Sequence, residues 1–308
     1  MNVLIAGGTG FIGRHLVQSM VQKQYHVYVL TRSSHHNPKS SPYLHYITWF
    51  NQDEHTFETL PPIDAVINLA GEPINKGRWT RKKKTKIWDS RKQATQKLLQ
   101  FMQSSEIKPK VFINASAIGV YGNSNEQEFT EKSAPRKNSF PARVCSMWEQ
   151  EAIKAEQFGI RTVIARIGIV LGKDGGALPR MIMPYKLFAG GRVASGKQWL
   201  SWIHIYDLTQ LFDYIIHQEA IEGPINITAP NPVKMDTMGK KIGETLRRPH
   251  WFPVPSWILK VIFGEMSEFL TEGQKVIPDK ALKHGFEFHY SKCGQALPQI
   301  LSEDTNEG

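Results

Sequence analysis

Cysteine is scarce in this chain of 308 residues, which contains only Cys145 and Cys293. Two distant cysteines provide neither a disulfide framework nor the ligand spacing of a metal site, so we predict reduced thiols and no bound metal. Long apolar runs are missing too, and the sequence therefore offers no membrane span. Because Met1 leads directly into a strand-like run, we see no signal peptide and predict a cytoplasmic protein.

Acidic residues are also in short supply. The 28 Asp and Glu residues face 38 Lys and Arg residues, which leaves a net charge of +10. Such an excess suits a nucleic acid, an acidic membrane surface or an anionic substrate. The densest basic run, residues 78–86, is short and typical of a solvated helix start. We therefore expect no nucleic-acid partner.

Glycine, in contrast, is concentrated near the start of the chain. Residues 3–6 are an apolar run of buried-strand type, and residues 14–21 carry apolar side chains at helical spacing. A strand, a glycine-rich turn and a helix are typical of a dinucleotide site, in which the helix N-terminus faces the phosphates. The alternative is a glycine-rich turn without a ligand. The residues expected at the cofactor are Gly7, Thr9, Gly10, Phe11, Ile12 and Gly13.

The next predicted strand, residues 26–30, is not followed by an acidic residue. Enzymes that use NAD place an acidic residue after this strand to hold the adenosine ribose. Here no Asp or Glu occurs from Tyr25 to Thr48, and the strand ends in Thr31, Arg32 and Ser33. A guanidinium with hydroxyl groups suits a 2′-phosphate, which predicts NADP(H) rather than NAD. The alternative is an ordinary surface arginine.

Further buried strands follow at residues 64–71, 111–122 (a strand with its exit), 161–172 and 223–228, with a long helix over residues 79–104. The small residues Leu69, Ala70 and Gly71 end one strand, and Ala115 lies near the end of the next; we expect the cofactor to pass close to both ends. Arg91, in the middle of the long helix, could reach a phosphate or form a structural salt bridge. For Arg166, within the strand at 161–172, we expect a buried ion pair. Asp207 is predicted to cap the helix that starts at Leu208.

These elements predict an α/β fold, a doubly wound parallel sheet of about seven strands with a smaller C-terminal lobe. The cofactor domain covers residues 1–172, and residues of about 201–228 return to it. The smaller lobe covers residues 173–301, including a C-terminal segment at about 248–298. We expect the site in the cleft between the sheet and the lobe.

Six ordered motifs resemble one known group of proteins. The sequence is similar to the atypical "epimerase family" of short-chain dehydrogenase/reductase-like proteins, which have an extended Rossmann domain and their own C-terminal domain. Relatives include a chloroplast-division protein once likened to a bacterial cell-division inhibitor. The resemblance implies NADP(H) binding and assigns no reaction. It rests on residues 7–13, 68–74, 90–91, 116–122, 201–204 and 273–278.

The catalytic pair of the parent family, Tyr-x-x-x-Lys, is missing, because none of the nine tyrosines is followed by lysine four residues later. The resemblance places Pro141 and Cys145 at those two positions and Ala117 at the usual hydroxyl position. A substitute proton donor could be Tyr121 or Ser116, so the catalytic residue stays open. Packing in the turn is the alternative role for Tyr121.

Two functions follow from this pattern. The first is an NADP-dependent oxidoreductase or epimerase that acts on an unknown small molecule. The second is a non-catalytic NADPH-binding sensor or regulatory protein that acts through a partner. The sequence assigns neither a substrate nor an oligomeric state.

Overall fold

A computed structural model describes residues 1–32, 41–49, 57, 60–74, 77–136 and 138–302 of the chain. The strands are β1 (Asn2–Ala6), β2 (His26–Thr31), β3 (Leu44–Thr48), β4 (Ala65–Asn68), β5 (Val111–Ala117), β6 (Glu128–Phe129), β7 (Arg161–Ile167), β8 (Ile169–Gly172), β9 (Gly175–Gly176), β10 (Trp199–Leu200), β11 (Trp202–His204), β12 (Gly223–Ile227), β13 (Val233–Lys234) and β14 (Lys275–Val276). The helices are α1 (Phe11–Gln22), α2 (Arg81–Ser104), α3 (Phe140–Ala152), α4 (Leu178–Lys186), α5 (Ile205–His217), α6 (Met235–Leu246), α7 (Ser256–Phe263), α8 (Glu268–Thr271), α9 (Asp279–Lys283) and α10 (Cys293–Ser302).

The main sheet has seven strands in the order β12-β7-β5-β4-β1-β2-β3. Every pairing in it is parallel. From β1 the chain adds strands on one side, and from β4 it adds them on the other. The direction of winding therefore reverses between β1 and β4, and open α/β sheets bind ligands at the carboxyl ends of strands at such a reversal.

Both faces of this sheet are covered, as alternate residues of β1 show. Val3 and Ile5 pack in the same cluster as Leu16 of α1 and Phe212 of α5. Leu4 points to the opposite face, where Leu98 of α2 contributes to a second core. The prediction of a doubly wound parallel sheet of about seven strands is confirmed.

The predicted strand at residues 161–172 is in fact two strands, so this prediction was wrong. β7 ends at Ile167 in the main sheet, whereas β8 pairs with β11 and β9 in a separate three-stranded sheet. The break lies at Gly168, where a Cβ atom would lie 2.6 Å from the carbonyl oxygen of Ser201. The close approach of another chain segment, which local sequence does not reveal, divides the apolar run.

A third core joins α4, α6 and α10 in the C-terminal half. The segment between α6 and α10 also packs on an earlier element, since β14 pairs with β6. Among the described residues, no helix combines the length and the apolar character that crossing a bilayer requires.

The predicted cap at Asp207 was also wrong. His204 caps α5, because its Nδ1 accepts a hydrogen bond of 3.0 Å from the Tyr206 N–H. Asp207 lies inside the first turn and accepts 2.9 Å bonds from the N–H groups of His289 and Tyr290. This carboxylate thus holds the C-terminal segment against α5.

Candidate dinucleotide-binding site

The glycine turn is pressed against the end of β4. Gly7 has a φ of +81°, a left-handed conformation that favours glycine, and its carbonyl oxygen accepts a 3.0 Å bond from the Gly10 N–H. A Cβ atom on Gly7 would lie 2.7 Å from the carbonyl carbon of Leu69. The two chain segments that flank the winding reversal are therefore in backbone contact.

The N-terminus of α1 follows this turn directly. Gly10 is the N-cap and has no side chain to cap the helix, and the first turn contains no acidic residue. Thr9 and Gly10 are exposed, whereas Gly13 is buried against the turn. Unpaired N–H groups at the positive end of the helix dipole suit a phosphate, so this part of the site fits the pyrophosphate of a dinucleotide.

Phe11 and Ile12, the first residues of α1, are both half-buried. The Phe11 ring fits against three glycines of the β8–β9 hairpin: a Cβ atom on Gly172 or Gly176 would lie 2.8 Å from it. Sequence reasoning missed this contact, and Gly175-Gly176 was the only local signal for it.

Two side chains of α1 fasten the same hairpin. The tip residue Asp174 bonds Arg14 Nη2 at 2.5 Å and His15 Nε2 at 2.9 Å. Although burial opposes the shift, His15 and Arg14 lower the pKa of this carboxyl below its ordinary value. The hairpin is thus held beside the N-terminal turn of α1.

The predicted adenosine end lies where β2 finishes. Thr31 is buried, Arg32 is exposed, and Ser33 lies outside the described residues. Lys83, whose Nζ lies 2.6 Å from Glu72 Oε1, is the main cause that lowers the pKa of Glu72, and the Arg32 charge contributes to the same shift. The sequence near β2 does not reveal Glu72, because this residue follows β4.

A buried amide network fixes the end of β4 against the middle of β5. Asn68 and Asn114 are register partners, and Asn68 Nδ2 donates to Asn114 Oδ1 at 2.7 Å and to Thr95 Oγ1 at 3.0 Å. The Ala70 N–H donates to Asn68 Oδ1 at 3.1 Å, which orients the exit formed by Leu69, Ala70 and Gly71. The available signal was an asparagine within each of two apolar strands, at the end of β4 and in the middle of β5.

Arg91 stands directly beside this exit. A Cβ atom on Gly71 would lie 3.0 Å from Arg91 Cζ. Arg91 Nη1 donates to the carbonyl oxygens of Glu72 and Ile87 at 3.0 Å, and the guanidinium lies 4.9 Å from the centre of a Trp148 ring. Burial lowers its pKa from the ordinary value. Within the described ranges Arg91 has no salt bridge, and its contact with a phosphate stays a prediction.

The two residues considered as proton donors are buried and fully engaged. Ser116 Oγ donates to Glu149 Oε1 at 2.6 Å. Tyr121 is 0% exposed; its hydroxyl donates to Asn226 Oδ1 at 2.8 Å and accepts from Arg166 Nη1 at 3.0 Å. Burial raises the pKa of Tyr121 above its ordinary value. This geometry favours packing over proton donation.

Arg166 and Glu149 form the expected buried ion pair, which confirms that prediction. Arg166 Nη2 lies 2.8 Å from Glu149 Oε2, and Arg166 Nε lies 3.0 Å from Glu149 Oε1. Both side chains are almost inaccessible. In a bidentate ion pair of this kind, each side chain neutralises the charge of the other.

The two residues that the resemblance assigns to the Tyr-Lys positions, Pro141 and Cys145, lie on α3. Pro141 is in its first turn, where a Cβ atom on Gly119 would lie 3.7 Å away. Cys145 is buried, and burial raises the pKa of its thiol to about 11. Neither side chain supplies a phenol or an ammonium group. A neutral buried thiol is a poor proton donor and a poor nucleophile.

The comparison with protein families agrees with this architecture. Residues 3–228 match the NAD dependent epimerase/dehydratase family, and the chain belongs to this family. Residues 254–300 match a domain of unknown function, DUF1731. The two matches together confirm the resemblance to epimerase-family proteins with their own C-terminal domain.

Individual relatives cover nearly the whole chain. Epimerase family protein YfhF of Bacillus subtilis is 44% identical over 98% of this chain and 99% of its own length. The chloroplastic SDR39U1 homolog of Arabidopsis thaliana is 41% identical over 98% of this chain and 87% of its own length. The crystal structure of human epimerase family protein SDR39U1 with NADPH superposes with a TM-score of 0.88 at 31% identity, covering 98% and 99% of the two chains.

Proposed function

We propose that this chain binds NADP(H) in the crevice between the ends of β1 and β4. The observation that carries the proposal is the glycine turn pressed on the Leu69 backbone beside an uncapped, acid-free helix N-terminus. The pyrophosphate-binding residues are Gly7, Thr9, Gly10, Phe11, Ile12 and Gly13. The presence of NADPH in the human relative supports the same cofactor here.

The remaining contacts follow from the placement of each strand end. Thr31, Arg32 and Ser33 hold the adenosine end, with Arg32 on the 2′-phosphate. The exit formed by Leu69, Ala70 and Gly71 runs along the adenine-ribose and pyrophosphate. Arg91 reaches a phosphate, and Ala115 borders the cofactor at the end of β5. We propose, as expected from the sequence, that the protein acts in the cytoplasm.

We further propose that the chain turns over nucleotide sugars slowly or not at all. NADPH, when bound, supplies a hydride, and a reduced carbonyl then needs a proton. The chain provides no free donor at the family's positions, since Pro141 is apolar and the Cys145 thiol is buried. General acid help is worth about 10²–10⁴ in rate. The chain is thus best described as an NADPH sensor or regulatory protein that acts through a partner.

A second function is supported by one specific feature. Ser116, Glu149, Arg166 and Tyr121 form a continuous buried hydrogen-bond chain. The Arg166 guanidinium, which donates to the Tyr121 hydroxyl, would stabilise the phenolate that proton donation leaves. An oxidoreductase or epimerase that acts on another small molecule is therefore the alternative, with Tyr121 or Ser116 as the donor.

The experiment combines binding with turnover. Purified protein is titrated with NADPH by cofactor fluorescence and then assayed against a panel of nucleotide sugars and simple carbonyl compounds, with Tyr121→Phe alongside. We expect saturable binding in both proteins and no oxidation of NADPH above background. Robust nucleotide-sugar turnover with intact binding contradicts the non-catalytic assignment alone, whereas absent binding contradicts the cofactor site. If turnover occurs, its loss in Tyr121→Phe identifies the donor.

A further inference from the structure

Exposed apolar side chains are concentrated in one part of the C-terminal half. Five large apolar residues from two segments of the chain are more than half exposed; Leu187 is 69% and Trp251 is 68% accessible. We call them the apolar face: Met183, Leu187, Phe188, Trp251 and Phe252. Single exposed apolar residues are normal, but a contiguous group marks an interaction surface.

Hydrogen bonds show that the two segments lie side by side. Trp251 Nε1 donates to the Phe188 carbonyl oxygen at 2.8 Å. The N–H groups of Trp251 and Phe252 both donate to the Gly190 carbonyl oxygen, at 2.9 and 3.1 Å. The apolar face is therefore one surface and not two separate loops.

Helix α7 follows directly along the chain. The Val254 N–H donates to the Arg192 carbonyl oxygen at 2.8 Å, just before α7 begins. On α7, Trp257 and Val261 are each 66% exposed and stand one helical turn apart. Both lie on the helix that follows the apolar face in the chain.

The same two segments lack negative charge. Residues 175–206 and 245–264 contain no Asp or Glu and include seven cationic residues: Arg180, Lys186, Arg192, Lys197, Arg247, Arg248 and Lys260. Arg248 Cζ lies 4.2 Å from the centre of the Phe188 ring, so a cation borders the apolar side chains directly. In the described part of the chain, Arg247, Arg248 and Lys260 form no salt bridge with a carboxylate.

The nearest acidic residues on α6 already have cationic partners. Asp236 Oδ2 bonds Lys240 at 2.8 Å, and Glu244 Oε2 bonds Lys241 at 2.7 Å. The charge that the two acid-free segments present is therefore positive.

We propose that the apolar face, with its flanking cations, docks on the surface of an anionic lipid membrane. Exposed Trp, Phe and Leu side chains surrounded by Arg and Lys have the composition of an interfacial surface, which inserts apolar groups while cations meet lipid phosphates. A second copy fits less well, because a two-fold contact across this face would oppose cations with cations. The proposed NADPH site shares no residue with this face.

The test is flotation of the full-length protein with vesicles. One set is pure phosphatidylcholine, and the other contains about 25% phosphatidylglycerol. We expect flotation with the anionic vesicles only, and release at about 0.5 M salt, where surface charge is screened. The double variant Trp251→Ser/Phe252→Ser should bind about tenfold or more weakly. The matched control Ile107→Ser, which changes a residue 60% exposed outside the face, should float like the unchanged protein.

Three results overturn the proposal. The first is that the unchanged protein does not float, and the second is that Trp251→Ser/Phe252→Ser floats as well as the unchanged protein. The third is a dimer, seen by sedimentation velocity, that this double variant abolishes and Ile107→Ser does not; it would identify a second copy as the occupant. NADPH affinity verifies folding. If the double variant does not fold, Arg247→Gln/Arg248→Gln replaces it, and flotation of that variant at the unchanged level contradicts the proposal.

Discussion

Gly7 and Leu69 stand in direct backbone contact, since a Cβ atom on Gly7 would lie 2.7 Å from the Leu69 carbonyl carbon. Gly7 follows β1 and Leu69 follows β4, which are neighbouring strands of the main sheet. The contact therefore joins the glycine turn to the residue that follows β4, where the winding of the sheet reverses.

Replacing Gly7 with alanine should damage both folding and cofactor binding. The φ of +81° and the Leu69 backbone each oppose a Cβ atom, and we expect a loss of about 2 kcal/mol or more in the free energy of unfolding. Gly159→Ala is a matched control, because Gly159 has a φ of +74° and no atom within 4 Å of its added Cβ. Urea unfolding should show about 1 kcal/mol for Gly159→Ala, with unchanged NADPH affinity. Equal effects of the two substitutions would show that the Leu69 contact is unimportant.

Arg91 should act on a phosphate that NADPH and NADH share. Its guanidinium is held beside Gly71 by two carbonyl oxygens and has no salt bridge among the described residues. Arg91→Gln should therefore weaken NADPH and NADH binding alike, by about tenfold, the worth of one charge-assisted hydrogen bond. Competition titrations measure both affinities. A loss confined to NADPH would instead place Arg91 at the 2′-phosphate.

The buried pair of Arg166 and Glu149 should dominate the stability of the sheet end. Burial alone would lower the pKa of Arg166, but the bonds to Glu149 raise it above its ordinary value. Arg166→Met leaves the Glu149 charge buried, which should cost about 3–5 kcal/mol. Lys283→Gln is the control, because the exposed Lys283 pairs with Asp279 at 2.6 Å near the surface; a surface pair contributes under about 1 kcal/mol. Denaturant unfolding measures the free energy of unfolding of both variants. Similar losses in the two variants would contradict a dominant contribution of the buried pair.

His204 should make the protein less stable in mild acid. Burial lowers its pKa from 6.5 to about 4, so below pH 6.5 the unfolded chain takes up a proton that the folded chain refuses. Stability is therefore complete above pH 6.5 and falls as the pH decreases towards 4, by up to about 3 kcal/mol. In His204→Asn, which keeps an acceptor for the Tyr206 N–H, this part of the pH slope should vanish. An unchanged slope over this interval would mean that His204 does not titrate as described.

Local signals predicted the features that local sequence determines. The strand, glycine turn and helix around Gly7 follow one another in the chain, so their composition predicted these elements correctly. The sequence also predicted the Arg166 ion pair, because a buried charge needs a partner, but it did not reveal that the partner is Glu149.

Features that depend on distant contacts were missed. Asp207 has the composition of a helix cap, yet its partners are backbone groups at His289 and Tyr290, more than 80 residues away. Gly168 divides an apolar run because the backbone at Ser201 passes beside it. Such contacts arise from tertiary packing, which overrides local preference.

The measurement that tests the central claim most directly is calorimetric titration of the protein with NADPH and with NADH. The variants are Arg32→Glu and, as a control for charge reversal, Lys110→Glu. Lys110 lies just before β5, at the amino ends of the strands and thus opposite the carboxyl ends where we place the cofactor. The account predicts that NADPH binds at least about tenfold more tightly than NADH, that Arg32→Glu abolishes this preference, and that Lys110→Glu retains it. Equal affinities for the two cofactors, or an NADPH preference that survives in Arg32→Glu, would contradict it.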